Sequence, residues 1–224
     1  MGSRYRDGPA GLRPAVAETS PGTADLSLKE SLWLSCGTKT CCSYYTVYPT
    51  GFDIWRISQE LQVAPWTFTR AVAAEAAPDA FALDGSERRF RLALQKVTKG
   101  SRGLAPCVFL LRLNGGTARC GLGEMRPAPC QSFPSLMVDG RVYVRNDGGC
   151  SCRTWSLAEI DVQRESDLLA SEQKAQETYC RVIANWNQFA VRYPSDSALD
   201  YRDFCRFLLD IYTELSRAQG LEEA

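Results

Sequence analysis

The chain has no histidine among its 224 residues. That absence removes the Ser-His-Asp triad, the Cys-His pair and every metal site that needs an imidazole nitrogen. Long apolar runs are also missing. The longest, "VFLL" at residues 108–111, falls far short of the ~20 residues a bilayer-spanning helix needs. The opening "MGSRYRDGPAGLRPAVAETSPGTADLSLKE" lacks the apolar segment of a secretory signal, so the expectation is a cytoplasmic protein with no membrane contact. Neither charge sign is in excess, with 26 Lys and Arg against 26 Asp and Glu. The basic run "ERRFRLALQKVTKGSR" is local and carries no aromatic motif for stacking bases, so no nucleic-acid partner is expected. No dinucleotide or phosphate loop is present either, since a lone "GLGE" does not make one.

What the chain has instead is cysteine, ten of them. A soluble chain of this length with 45% hydrophobic residues can bury a core without covalent staples, and a reducing compartment disfavours disulfides. Metal ligation is the use that remains for so many thiols. Cys180 and Cys205 sit beside apolar positions in helical sequence and read as small buried hydrophobes. The other eight, Cys36, Cys41, Cys42, Cys107, Cys120, Cys130, Cys150 and Cys152, fall in loops, turns and strand ends, and all are candidate metal ligands. Without nitrogen ligands, an all-thiolate site points to zinc or to an iron–sulfur cluster. The balanced charge hides an asymmetry. Residues 36–154 carry 15 positive and 9 negative side chains, and residues 155–224 carry 7 and 13. Basic groups near thiolates would offset their charge; two solvated faces of opposite sign are the alternative.

Periodicity places the elements. Residues 1–28 are rich in Gly, Pro and Ala and read as a flexible tail. "TGFDIWRISQEL" opens with Thr50 and Asp53 at capping-box spacing, and Asp53 reads as a cap before a general base. "APWTFTRAVAAEAA" reads as a second short helix with Pro65 in its first turn. "RFRLALQKV" alternates Phe90, Leu92 and Leu94 as a half-buried strand, and hairpins follow around Asn114-Gly115-Gly116 and Asp139-Gly140. From Ser156 and Glu159, another capping pair, the pattern turns helical. Tyr179, Val182, Ile183, Trp186, Phe189, Ala190 and Tyr193 form one stripe; Pro194 ends it, Ser197 and Asp200 open the next helix, and Gly220 closes that one. The fold expected is α+β: a cysteine-rich metal-binding domain over 29–154 with short helices and hairpins, and an antiparallel helical hairpin over 155–224 packed on it. The acidic surface of those helices is a candidate docking face for a protein partner.

Geometry sets two conditions on the thiols. In a simple hairpin that pairs 113 with 117, Cys107 and Cys120 point to opposite faces unless a bulge intervenes or a strand ends early. If the backbone is extended at Cys41 and Cys42, these neighbours also diverge, so one is expected to ligate while the other lines the site, binds a second metal or packs. Arg126 is a candidate to donate to a cluster sulfur or a bound anion, or else a turn residue before Pro127. Tyr44, Tyr45 and Tyr48 read as packing aromatics.

The order "CGTKTCC", "VYPTGFDIWRIS" and "APCVFLLRLNGGTARCGLGEMRPAPCQSFP" resembles the YkgJ family of cysteine-cluster proteins, described as zinc- or iron-chelating, over about residues 33–135. That resemblance implies a metal held by the leading cluster together with Cys107, Cys120 and Cys130, the last within Arg-Pro-x-x-Cys-x-x-Phe-Pro. Related domains are also associated with a flagellin lysine methylase. The commoner family pattern is C-x2-C-x2-C-C. This chain has C-x4-C-C, one thiol fewer, so Cys150 or Cys152 is a candidate to complete the set. The functional expectation is an iron–sulfur (4Fe-4S) protein with a redox or substrate-binding role, the alternative being a structural zinc module for partner binding.

Overall fold

The computed structural model describes residues 27–74, 77–83, 88–97, 105–114, 116–192 and 199–218. The fold is α+β. Helix α1 (Leu28–Ser35) opens where the expected tail ends, capped by Ser27, whose hydroxyl accepts from the Glu30 amide. A single turn, α2 (Cys41–Tyr44), carries the vicinal cysteines. Helix α3 (Gly51–Leu61) has the expected capping box, with Thr50 and Asp53 each satisfying the other's backbone amide.

Among the described residues six strands pair two by two, all antiparallel: β1 (Thr69–Ala73) with β2 (Phe90–Leu94), β3 (Leu110–Arg112) with β4 (Ala118–Cys120), and β5 (Ser135–Val138) with β6 (Arg141–Val144). Asp139 and Gly140 both take positive φ, at 48° and 74°, as a two-residue hairpin turn requires. The other expected hairpin closes through the Leu113 amide on the Thr117 carbonyl at 2.8 Å; Gly115 lies outside the described residues. Between β4 and β5 stands α4 (Ala128–Ser132), a short helix bearing Cys130. The C-terminal pair is α5 (Val162–Arg192) and α6 (Tyr201–Ala218).

Three expectations need correction. The stretch from Ala64 forms a 3₁₀ turn over Pro65–Thr67 and then β1, not a helix. Its alanines favour a helix, but β2 needs a partner, and the buried Thr69 hydroxyl is held by the Pro65 carbonyl at 2.7 Å and Tyr201 at 2.5 Å. The strand β2 is more than half-buried, since Ala93, opposite Leu92 and Leu94, is buried too. The Ser156–Glu159 box caps only a 3₁₀ turn (Leu157–Glu159); α5 starts after Asp161, whose carboxylate accepts from the Arg164 amide. Asp200, expected to open α6 together with Ser197, is itself its cap, accepting from the Arg202 and Asp203 amides at 2.7 and 2.9 Å. Residues 1–26, Tyr193, Pro194, Ser197 and Gly220 lie outside the described residues.

One hydrophobic core runs through both halves of the chain. Phe81 stacks on Phe204 at 3.8 Å, and Trp186 packs on Phe204 and Phe207. Asn187 of α5 clamps the segment beneath it, accepting from the Ala82 amide at 2.8 Å and donating to the Ala80 carbonyl at 3.0 Å. Cys205 is fully buried in this core, whereas Cys180 is only partly covered. A buried ion pair, Lys29 to Glu165 at 2.5 Å, fastens α1 to α5. Among the described residues no helix is long and apolar enough to cross a membrane.

The tightest helix contact is at Gly51, where a Cβ would enter the ring of Tyr212 on α6. Gly51→Ala is therefore expected to lower stability by about 1–3 kcal/mol in urea denaturation. An unchanged midpoint would mean that the tyrosine swings aside without cost.

Candidate metal centre

Four separate segments bring five thiols to one cavity of about 270 Å³: Cys41 and Cys42 from α2, Cys107 from an isolated bridge ahead of β3, Cys120 from the end of β4 and Cys130 from α4. Cys107 reaches it because β3 begins only at Leu110. Its amide donates to the Cys42 carbonyl at 2.9 Å, it bridges to Lys96, and the chain turns over 107–110 before β3 begins. The register Leu110↔Cys120 is the expected one, and the break between Cys107 and Leu110 is what lets both thiols face the same space.

At Cys41 and Cys42 the backbone is helical, not extended, so adjacent side chains are not opposed and both line the cavity. They still differ. A hydrogen bond from the Cys42 thiol, set against burial, holds Cys41 low, at about 7. That same bond, with burial and the neighbouring thiols, pushes Cys42 far up. Burial raises Cys107 and Cys120, opposed by backbone amides of Phe109 and of Leu122 and Gly123, and burial with the neighbouring thiols raises Cys130.

Cations surround these thiols. The buried ammonium of Lys39 donates to the carbonyls of Trp33 and Cys36 and lies 4.5 Å from the Trp33 ring centroid. Lys96 donates to the Cys42 and Ser43 carbonyls at 3.2 and 2.9 Å. Burial lowers the pKa of both lysines, with the nearby thiols opposing. Arg126 lines the cavity, pairs with Glu30 at 2.6 Å, donates to the Gly123 carbonyl and packs 4.0 Å over Trp33. Its positive charge opposes the rise at Cys120. Trp33 is thus held between two cations. Its role was not legible in the sequence, although Lys39 sits within "CGTKTCC" itself.

Asp53 is the cap it was expected to be, and a second cap besides. One carboxylate oxygen accepts from the amide and hydroxyl of Thr50, both at 2.9 Å; the other accepts from the Ala128 amide at 3.1 Å, the first residue of α4. Cys130 is positioned by that bond. Burial raises the pKa of this carboxyl, and the Thr50 and Ala128 donors oppose the rise. Tyr45 and Tyr48 form part of the cavity wall, whereas Tyr44 is exposed.

The remaining three candidate ligands gather elsewhere. Cys36, Cys150 and Cys152 are not among the residues lining the cavity; Cys36 and Cys152 approach to 2.6 Å and Cys150 and Cys152 to 3.1 Å. All ten cysteines are free thiols. Among the described residues no group of three or more His, Cys, Asp or Glu converges as a site for a metal ion. Compared with family models, curated proteins and solved structures, the chain matches none of them.

Asp53→Ala should cost about 2–4 kcal/mol, because it leaves two helix starts without their acceptor, against ~1 kcal/mol for Thr50→Ala. Equal losses in chemical denaturation would argue against a role for Asp53 in holding α4.

Proposed function

We propose that the chain is a metal-binding cysteine-cluster protein whose cavity holds an iron–sulfur cluster of the 4Fe-4S type. The observation that carries this reading is the donor set: five thiols from four segments lining one partly open cavity. A 4Fe-4S cluster takes four thiolates, so the set suffices with one to spare. The space also matters. One water position needs only ~10–15 Å³, and zinc draws four sulfurs to within 2.3 Å of a point, whereas these thiols ring about 270 Å³. The resemblance of the cysteine pattern to the YkgJ family, described as zinc- or iron-chelating, supports metal binding by these cysteines.

When bound, such a cluster supplies one-electron transfer, or a ligand position at an iron that lacks a thiolate. The chain's own residues would do the rest. Lys39, Lys96 and Arg126 offset the negative charge of the thiolates, and the backbone amides behind Cys107 and Cys120 donate to sulfur. Trp33, Tyr45 and Phe133 keep water from the space. Cys41 and Cys42 divide in role, one a ligand and the other a thiol donor to it. A reducing compartment such as the cytoplasm suits ten free thiols.

A structural zinc module is the second reading. It is favoured by the fact that the cavity joins segments sharing no common sheet, which a closed four-thiolate site would knit together.

Anaerobic purification from iron-replete cells, with iron, zinc and acid-labile sulfide measured per chain, separates the two. The expected result is about four iron and about four sulfide, with visible charge-transfer absorbance, lost in Cys130→Ser and kept in Cys180→Ser. Zinc at integral stoichiometry without sulfide would replace the iron–sulfur reading with the zinc one.

A further inference from the structure

Cys36, Cys150 and Cys152 stand apart from the cavity in both place and surroundings. Cys36 follows the last turn of α1, and Cys150 and Cys152 lie in the loop after β6. Folding brings Cys36 and Cys152, 116 residues apart in sequence, to a sulfur separation of 2.6 Å, with Cys150 only 3.1 Å beyond. A disulfide bond is ~2.0 Å long, so closure requires a movement smaller than ordinary side-chain motion. The loop is already fixed for it: the Ser151 amide and hydroxyl donate to Thr40 Oγ1 at 2.9 and 3.1 Å. Cys36 is partly exposed and Cys152 exposed, so small oxidants reach both sulfurs from solvent.

We propose that these three cysteines form a thiol–disulfide site, distinct from the metal cavity, in which Cys36 and Cys152 close reversibly into a disulfide when the protein meets hydrogen peroxide. Cys36 is the attacking sulfur. Burial raises its pKa, but hydrogen bonds from Cys152, Thr38 and the Lys39 amide outweigh burial and leave it below an ordinary thiol. Its thiolate attacks the O–O bond; with the thiol proton the displaced oxygen leaves as water, and the sulfur becomes a sulfenic acid. The Cys152 thiol then attacks that sulfur, the S–S bond forms, and the sulfenic hydroxyl departs with the Cys152 proton as a second water. Two electrons pass from the sulfurs to the peroxide. A low-molecular-weight dithiol reverses the bond by exchange, becoming the disulfide itself.

Closure acts on the cavity wall. Gly149 is pressed against the Tyr45 ring, Tyr45 donates to Asp147, and Arg145 packs 5.2 Å over Tyr45. Tyr45 and Arg145 line the cavity on one side and Trp33 of α1 on another. A Cys36–Cys152 bond ties those two walls together covalently, where the open form relies on exposed hydrogen bonds.

The test treats the full chain with hydrogen peroxide, alkylates the remaining thiols, and maps disulfides by mass spectrometry of non-reduced peptides. The expected result is a Cys36–Cys152 peptide, a fall from ten to about eight alkylated thiols, and recovery with a small dithiol. Cys150→Ser should keep the bond, and Cys152→Ser should leave Cys36 as a sulfenic acid trapped by a carbon nucleophile. Cys36 recovered alkylated after peroxide, or joined to any thiol other than Cys152, would overturn the proposal. The mapping on the parent chain stands alone if either variant fails to fold, and its outcome does not depend on which metal the cavity takes.

Discussion

The buried carboxylate of Asp53 is the interaction on which the rest of the site depends. A carboxylate out of water is costly unless its oxygens are all engaged, and here both are, by donors from the starts of two different helices. Because α3 is anchored in the core through Ile54 and Ile57, whatever Asp53 holds inherits that rigidity. What it holds is α4, a helix of five residues with no intrinsic stability of its own. Arg56 adds a second tie from the same helix, donating to the Arg126 carbonyl at 3.2 Å just before α4 begins. A thiol on a mobile loop becomes, by these two bonds, a thiol on a scaffold.

The legible part of this molecule was the part governed by local rules. Thr50 with Asp53, Asp139 with Gly140, and the apolar stripe through Tyr179 and Trp186 each carry their structure in a few adjacent residues, and each forms as read, except that Phe189 of the stripe is exposed. The segment from Pro65 to Ala73 was misread because its alanines speak for a helix while its fate is decided by Phe90–Leu94, far along the chain. The site divides in the same way. Which cysteines could ligate was visible from residue type and spacing. Their division into five at the cavity and three outside it was not, since it depends on where β3 begins and on the loop that Ser151 fastens to Thr40. The second bond of Asp53, 75 residues away in sequence, left no local trace either.

Charge follows a similar logic. The excess of positive side chains in residues 36–154 is spent partly around the thiols, where Lys39, Lys96 and Arg126 face carbonyls, aromatic rings and sulfur. The acidic excess of the C-terminal helices is not wholly a solvent face. Glu165 turns inward to Lys29, a pair whose rupture would strand a buried charge at a cost of ~3–5 kcal/mol. The C-terminal helices are thereby tied through a buried contact to α1, the helix that carries Trp33.

Helix α5 runs for 31 residues, about 46 Å, and packs in turn on α3, α4, β5, β6 and α6. The hairpin it covers, β5 with β6, is only two strands wide, a size that is marginal in water by itself. Its backbone amides thus borrow protection from a helix that follows it in the chain. In hydrogen exchange, amides of β5 and β6 would open together with the middle of α5 as one cooperative unit, and during synthesis they would stay exposed until that helix had emerged.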